Sequence, residues 1–438
     1  MKKRKLISAL LALCLLSGCA PVSDTGSGSS DNGHSESYET EQQEFSFTLR
    51  GGNAIFQSVT NAKRYRVSAN GTLLGYTQTT EFAVVDKILE KNVVAWGEWK
   101  ICVEALDDSD RSIALHEQKM KIRALNSNNF QTELNGDYSA NDYFMLEEDI
   151  FYFGHDNATL NEETPYGYTF AKLVYYGEGM KGFVTKAFSA TLDGNGYTVN
   201  LLVDRPLMYH AELQMAAGGL LTSVTQSGVL KNLVVNADYT YPQEAGQFSA
   251  PVVYKDCAGL IENCWFNTIL RPIACDKDVA TGEFSFTYEY DARASVIGST
   301  SDGFICKNTV FILDVMDVNG NLITAETYGK MGGAVCISRQ TSRYENCVFI
   351  QNGGAPRFIN DTWAHAQALK GSSLANGAYY YSSIQDFLSG GVGYRCDGEM
   401  KDSESFVKTD GVIYENWGDA WEISESEVYI SGALAYAN

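Results

Sequence analysis

The chain has 438 residues, of which 45% are hydrophobic and 20% are charged, a composition typical of globular proteins. Its formal net charge of −21 repels other polyanions, so we exclude nucleic acid as a partner. Aromatic residues make up 12% of the chain, and 40 Gly stand against only 7 Pro, which favours β-sheets joined by many turns.

The first twenty residues combine a basic start, an apolar run and a cysteine. Four basic residues at 2–5 precede an apolar stretch at 6–16, which is too short to span a membrane and predicts a secretory signal peptide. The stretch ends in LSGC, which resembles the lipobox of bacterial lipoproteins. The resemblance implies that 1–18 are a lipoprotein signal peptide and that Cys19 becomes a lipid-carrying N-terminus.

Lipidation at Cys19 implies an extracytoplasmic protein, anchored to the bacterial cell membrane or outer membrane. Cleavage removes four basic residues and no acidic ones, so the formal charge changes from −21 to −25. The lipid, and not charge, must then hold the protein on an anionic membrane. Residues 19–43 are rich in Ser, Gly, Asp and Glu with almost no apolar residue, which predicts a disordered tether.

Short alternating strands separated by turn residues occupy 44–125. In EFSFTLRGG, for example, Phe45, Phe47 and Leu49 fall on one face. Repeated strands of this kind at regular spacing predict a β-sandwich.

The segments AKRYRVSANGTLLGYTQTTEF and GEWKICVEALD resemble fibronectin type III-like modules of bacterial surface proteins. The resemblance implies a spacer or recognition module without catalysis. Trp96 and Trp99 are candidates for a sugar-stacking platform near its end. Trp99 lies in the apolar alternation, which favours the core, whereas Trp96 precedes a turn and stays a candidate for ligand stacking.

Internal repetition is the main feature of 130–438. Four segments align on an asparagine and a fifth, GVIYENWG at Asn416, fits more loosely; the four are GVLKNLVV at Asn232, GLIENCWF at Asn263, FICKNTVF at Asn308 and SRYENCVF at Asn346. The aligned asparagines are 31, 45, 38 and then 70 residues apart. Each unit therefore combines two short β elements, an Asn corner between them and a loop of variable length.

This pattern predicts a right-handed parallel β-helix with a C-terminal cap at 130–438. The predicted fold class is all-β, an N-terminal β-sandwich followed by a right-handed parallel β-helix. Because coils stack about 4.8 Å apart, asparagines at one corner can hydrogen-bond from coil to coil and form a ladder. The extra residues must lie in loops, for example within 236–255 and 275–295.

The stretch ATLDGNGYTV at 190–199 suggests a hairpin on local grounds, because Asp-Gly and Asn-Gly favour tight turns. It lies upstream of the Asn-cornered repeats, so we interpret it as an opening turn of the β-helix and Asp193 as a structural residue.

Three segments resemble the opening coils of bacterial β-helical surface proteins of the pectin-lyase-like and adhesin type: YFMLEEDIFYFG, FSATLDGNGYTV and GVLKNLVV. YENWGDAWEI at 414–423 resembles their aromatic closing segment. Ser189 and Ala190 stand where Gly is usual, and Val199 stands where Ile is usual. The resemblance informs the fold more than the function, because lyases, glycosidases and adhesins share this scaffold.

Eight cysteines follow Cys19, and two interpretations of them stay open. Secreted proteins often pair their cysteines as disulfides. Cys264 and Cys347, however, each follow a repeat Asn and share one register, which favours free, inward-stacked thiols.

The sequence shows no catalytic constellation, metal-ligand spacing or cofactor motif, so we assign no catalytic residue, metal or cofactor. Tyr379, Tyr380 and Tyr381 are candidates for stacking on sugar rings or for protein contacts, although packing on the flank of the β-helix is the alternative. We expect a cell-surface protein that binds or adheres to carbohydrate or another surface ligand. The alternative is a carbohydrate-active enzyme, a polysaccharide lyase or a glycoside hydrolase.

Overall fold

A computed structural model describes residues 44–92, 95–154, 184–203, 219–242, 248–277, 284–287, 293–316, 321–322, 335–337, 341–350, 352, 373–399, 407–410 and 417–437. The predicted signal peptide at 1–18 and tether at 19–43, with Cys19, lie outside these residues, as does Asn416. The protein is all-β, as predicted, with large parallel sheets. None of the three helices in the described residues has the length and hydropathy of a transmembrane segment.

Residues 44–125 form two antiparallel sheets that face each other. One sheet contains β1 (Phe47–Arg50), β2 (Asn53–Phe56) and β5 (Glu81–Ala83). The other has the order β4–β3–β6–β7 and contains β3 (Arg64–Ala69), β4 (Thr72–Thr77), β6 (Gly97–Leu106) and β7 (Ser112–Leu125). Helix α1 (Val84–Lys91) joins β5 to β6. Their shared core holds the alternating apolar residues, including Phe47 and Leu49.

The chain beyond the sandwich passes repeatedly through three parallel stacks of strands, and we call one passage a coil. The first stack contains β8 (Tyr143–Leu146), β11 (Thr191–Asp193), β14 (Val229–Lys231), β18 (Leu260–Glu262), β23 (Ile305–Lys307) and the start of β26 (Arg343–Ile350). The second contains β9 (Ile150–Gly154), β12 (Thr198–Val203), β15 (Val234–Pro242), β19 (Trp265–Lys277), β24 (Val310–Val315) and the end of β26.

The third stack contains β10 (Val184–Phe188), β13 (Leu221–Val224), β17 (Val253–Cys257), β22 (Ile297–Thr300) and β25 (Val335–Ile337). This repeated visiting order is compatible with the predicted β-helix. Side chains from all three stacks fill one continuous core, in which the rings of Phe311 and Phe349 stack 5.1 Å apart.

Coil length varies at one corner, between the second and the third stack. At this corner the connection from β12 to β13 runs from Val203 to Leu221. At the corner between the first and second stacks, by contrast, only two residues connect β14 to β15. The uneven repeat spacing therefore arises at this corner. The loops expected within 236–255 and 275–295 fall here too, although 236–242 and 275–277 extend β15 and β19, and 253–255 belong to β17. Short extra strands lie at the same corner: β16 (Phe248–Ser249), β20 (Phe284–Thr287) and β21 (Arg293–Ala294).

Both ends of the core are closed. Helix α2 (Phe130–Asn135) places two fully buried residues, Phe130 and Leu134, against the first coils. At the other end β27 (Ser373–Tyr381) adds to β26, and α3 (Ile384–Ser389), β28 (Val392–Glu399) and β29 (Val407–Asp410) follow. A last sheet of β30 (Trp421–Ile423), β31 (Glu427–Ile430) and β32 (Ala433–Ala437) packs on the outward face of the second stack.

An asparagine turns the chain between the first and second stacks in four successive coils. Asn232, Asn263, Asn308 and Asn346 have φ angles of 50°, 53°, 44° and 52°, a left-handed conformation that Asn tolerates better than most residues. The amide of each donates to its predecessor's side-chain oxygen, at 3.4 Å for Asn263, 3.2 Å for Asn308 and 3.0 Å for Asn346. The predicted ladder is confirmed.

The ladder begins on Asp193, in the ATLDGNGYTV stretch. The Asp193 carboxylate accepts hydrogen bonds from the Asn232 amide at 3.1 Å, from the Asn195 backbone N–H at 2.9 Å and from the Tyr143 hydroxyl. Strands β11 and β12 pair with neighbouring coils and not with each other, so the stretch is an opening turn and no hairpin. A Cβ on Gly194 would lie 2.1 Å from the Asn232 carbonyl oxygen, which explains the glycine.

The sandwich and the first stack share a continuous sheet. Strand β7 pairs in parallel with β8, from Ile122 opposite Tyr143 to Leu125 opposite Leu146. The predicted boundary between 125 and 130 therefore falls where the chain leaves β7, while the sheet itself continues across it.

We predict that Asn308→Ala lowers the free energy of unfolding by about 2–3 kcal/mol, because it removes two ladder hydrogen bonds and places alanine at positive φ. Asn308→Gly is the control, since it loses the same bonds without the backbone strain and should be about 1 kcal/mol less destabilising. Urea unfolding of both variants measures the difference. An equal loss in the two would contradict the role given to the backbone conformation.

Candidate functional site

The stacking candidate in the sandwich, Trp96, lies just before β6 and is 38% exposed. Its neighbour Trp99 packs against the sandwich core and donates its indole N–H to the Ala95 carbonyl at 2.7 Å. The two tryptophans thus differ in burial as the alternation predicts: Trp99 packs against the core, and Trp96 stays a candidate for ligand stacking.

The three consecutive tyrosines are buried, which agrees with the alternative of packing and not with the predicted ligand stacking. Tyr379, Tyr380 and Tyr381 are 6%, 1% and 0% exposed. At these three residues strand β27 is covered on both faces: Tyr380 points into the core of the stacks, while Tyr379 and Tyr381 face the C-terminal segment. A run of tyrosines in a strand reaches solvent only if one face of that strand is open.

A polar cluster occupies the outward face of the second stack, near the corner where coil length varies. Asp238, Ile269 and Asp314 are aligned in register on β15, β19 and β24. Arg271 holds Asp238 with two hydrogen bonds, at 2.8 and 3.0 Å. Asn352 donates its amide to Asp314 at 2.8 and 3.0 Å. We call Asp238, Arg271, Asp314 and Asn352 the carboxylate cluster.

The two carboxylates differ in environment. Asp314 is only 8% exposed, and burial raises the pKa of its carboxyl group, although the hydrogen bonds from Asn352 act in the opposite direction. Asp238 is partly exposed and paired with a guanidinium. Two coil spacings of about 4.8 Å place the two residues roughly 10 Å apart. This separation is close to the roughly 6.5–9.5 Å between the two carboxyl groups of inverting glycosidases, which act on opposite sides of one bond.

The sequence contains a signal for this cluster that a search for motifs misses. Asp238, Ile269, Asp314 and Asn352 each stand six residues after a corner asparagine. Counting residues from each corner asparagine therefore places these four residues in one column of the stacked coils. In the sequence alone, Asp314, Asp317 and Asn319 resemble only a loose calcium loop. Asp317 and Asn319 lie outside the described ranges.

Six cysteines whose side chains the structure describes are free thiols: Cys102, Cys257, Cys264, Cys306, Cys347 and Cys396. Cys264 and Cys347 occupy equivalent corner positions, and each donates to the carbonyl two residues earlier, at 3.2 and 3.5 Å. Burial raises the pKa of Cys257 to about 12 and that of Cys396 to about 11. Cys257 and Cys396 therefore fill space and do not supply a nucleophile at neutral pH.

Within the described ranges, no three His, Cys, Asp or Glu side chains are grouped so that they could hold a metal ion. Neither a protein-family model, nor a curated protein, nor a solved structure matches the chain.

We predict that Tyr380→Ala lowers the free energy of unfolding by about 3–5 kcal/mol, because it empties a filled position of the core. Trp96→Ala is the matched control and should change stability by less than about 0.5 kcal/mol, since this ring is exposed. Thermal or urea unfolding measures both. A stable Tyr380→Ala protein would show that the tyrosine run does not belong to the core.

Proposed function

We propose that this protein is a lipid-anchored bacterial cell-surface protein that presents its sandwich and parallel stacks for binding or adhesion, with a carbohydrate or another surface molecule as ligand. The observation that carries the proposal is the continuous sheet from β7 into β8. It joins the module next to the anchor and the long stacked region into a single structural unit, which is what a surface display protein needs.

The N-terminal sequence supports the anchoring in this proposal. The basic start, the apolar run and LSGC occur in the order of a lipoprotein signal, and Cys19 is 25 residues before Glu44, the first described residue. A chain of that length spans at most about 90 Å, which limits how far the folded region extends from the membrane.

We predict that Cys19→Ser moves the protein from the membrane fraction to the soluble fraction and abolishes labelling by radioactive fatty acid, because serine offers no thiol for the lipid. Cys14→Ser is the matched control, since this cysteine lies within the signal peptide and should leave anchoring unchanged. Fractionation and labelling of cells that express each variant measure the effect. Membrane retention of Cys19→Ser would refute the anchor.

The same cells test binding. Cells with the wild-type protein should adhere to polysaccharide-coated surfaces at least about tenfold more than cells with Cys19→Ser, because many anchored copies act together. Equal adhesion on every surface tested would refute binding as the function.

The second candidate function is a carbohydrate-active enzyme, and the carboxylate cluster is the observation that favours it. Asp314 would protonate the leaving oxygen and Asp238 would activate water, the division of roles in an inverting glycosidase. The enzymatic function ranks second because Asn352 already hydrogen-bonds both carboxylate oxygens of Asp314. That contact also suits a purely structural role at the end of the coil.

We predict that, if this second function holds, Asp314→Asn lowers the release of reducing ends by at least about 100-fold, because the proton donor is lost. The wild-type rate should fall as pH rises above the raised pKa of Asp314. Asp108→Asn, on an exposed sandwich turn, is the control. Absence of reducing ends or unsaturated products from every polysaccharide tested would exclude the enzyme.

A further inference from the structure

An open cleft lies on the sandwich, at the point where the described chain begins. Its volume is about 680 Å³, within the range of small-molecule sites. One wall is the segment 44–46, the second is the connection from β2 to β3, and Leu115 of β7 contributes the third. We call this cavity the sandwich cleft.

The rim of the sandwich cleft carries several hydrogen-bonding side chains. They are one carboxylate, one amide and three hydroxyls, belonging to Glu44, Gln57, Ser46, Ser58 and Thr60. None of these side chains hydrogen-bonds to another residue among those that the structure describes. The amide and the carboxylate are planar groups that can bond two neighbouring hydroxyls at once.

The walls of the cleft are held in place by a shared group of aromatic rings. Phe45 packs on Tyr65 at 6.2 Å and on Phe56 at 5.9 Å between ring centroids. The Val59 backbone N–H donates to the Tyr65 hydroxyl at 2.8 Å. Both 44–46 and the β2–β3 connection are therefore fixed on one buried tyrosine before any ligand arrives, which lowers the entropic cost of binding.

Charge limits which ligands fit. Of the cleft's lining residues only Glu44 is charged, so a uronic acid or a phosphate would meet a carboxylate without a compensating cation. The sandwich as a whole is nearly neutral, with 11 basic and 10 acidic residues in 44–125, against 18 basic and 39 acidic in 126–438. Glu44 is therefore the main local barrier to an anionic ligand.

We propose that the sandwich cleft is a binding site for a neutral, hydroxyl-rich glycan, with Gln57 and Glu44 as the hydrogen-bonding residues and Phe45 and Leu115 as the apolar contacts. This inference rests on the proposed binding function and names its ligand class and its place. The cleft is separate from Trp96 and from the carboxylate cluster.

The test is affinity electrophoresis of the full mature chain in detergent, through gels that contain amylose, mannan, a neutral β-glucan or polygalacturonate. At least one neutral polymer should retard the wild type, and Gln57→Ala should weaken that binding about tenfold, the effect of losing its hydrogen bonds. Gln78→Ala is the matched control, because it removes the same side chain from an exposed turn of the same sandwich. Glu44→Gln should gain binding to polygalacturonate.

The outcomes separate the cleft from the broader function. Retardation that is unchanged in both Gln57→Ala and the double variant Ser58→Ala/Thr60→Ala would overturn the cleft while glycan binding stands. Failure of every polymer to retard the wild type would overturn both. These side chains are exposed, so the variants should unfold at the wild-type temperature, and that measurement accompanies each gel.

Discussion

Parallel, in-register stacking is the constraint on which the rest of this structure depends. Each residue of a coil lies about 4.8 Å from the equivalent residues of its neighbours, so a polar group at one position must find its partner in the next coil. The asparagine ladder meets this requirement at the corner, where the amides of Asn232, Asn263 and Asn308 each donate to one neighbouring coil and accept from the other. On the first stack, acidic and basic residues alternate from coil to coil at one position, so that each charge has an opposite charge beside it. The order is Asp193, Lys231, Glu262, Lys307 and Glu345.

Stacking also explains how distant residues come together. Asp238 and Asp314 are 76 positions apart in the chain, yet both stand six residues after a corner asparagine, so they share one outward column. Insertions between the second and third stacks change the sequence spacing and leave this alignment intact. A catalytic or binding cluster on such a scaffold can therefore be assembled from positions that no sequence motif connects.

The two functional proposals occupy different regions of one molecule. The sandwich cleft lies in a nearly neutral module, and its lining offers hydroxyl groups, one amide and one carboxylate. The carboxylate cluster lies on the acidic stacked region, beside an arginine. The binding proposal and the catalytic proposal therefore depend on different residues, and support for one does not support the other. The continuous sheet through β7 and β8 is what links the two regions mechanically.

The sequence by itself determined the all-β class, the alternating sandwich strands and the Asn corners, because periodicity and turn chemistry are local properties. It also determined the role of ATLDGNGYTV once the repeats downstream were aligned. Only the tertiary structure decided which faces are covered: it buried Tyr379, Tyr380 and Tyr381 under elements from elsewhere in the chain and left Trp96 exposed. It alone showed that β7 continues into the stacks and that Asp238 and Asp314 share a column. Coverage and register depend on contacts between distant segments, and no single stretch of sequence contains them.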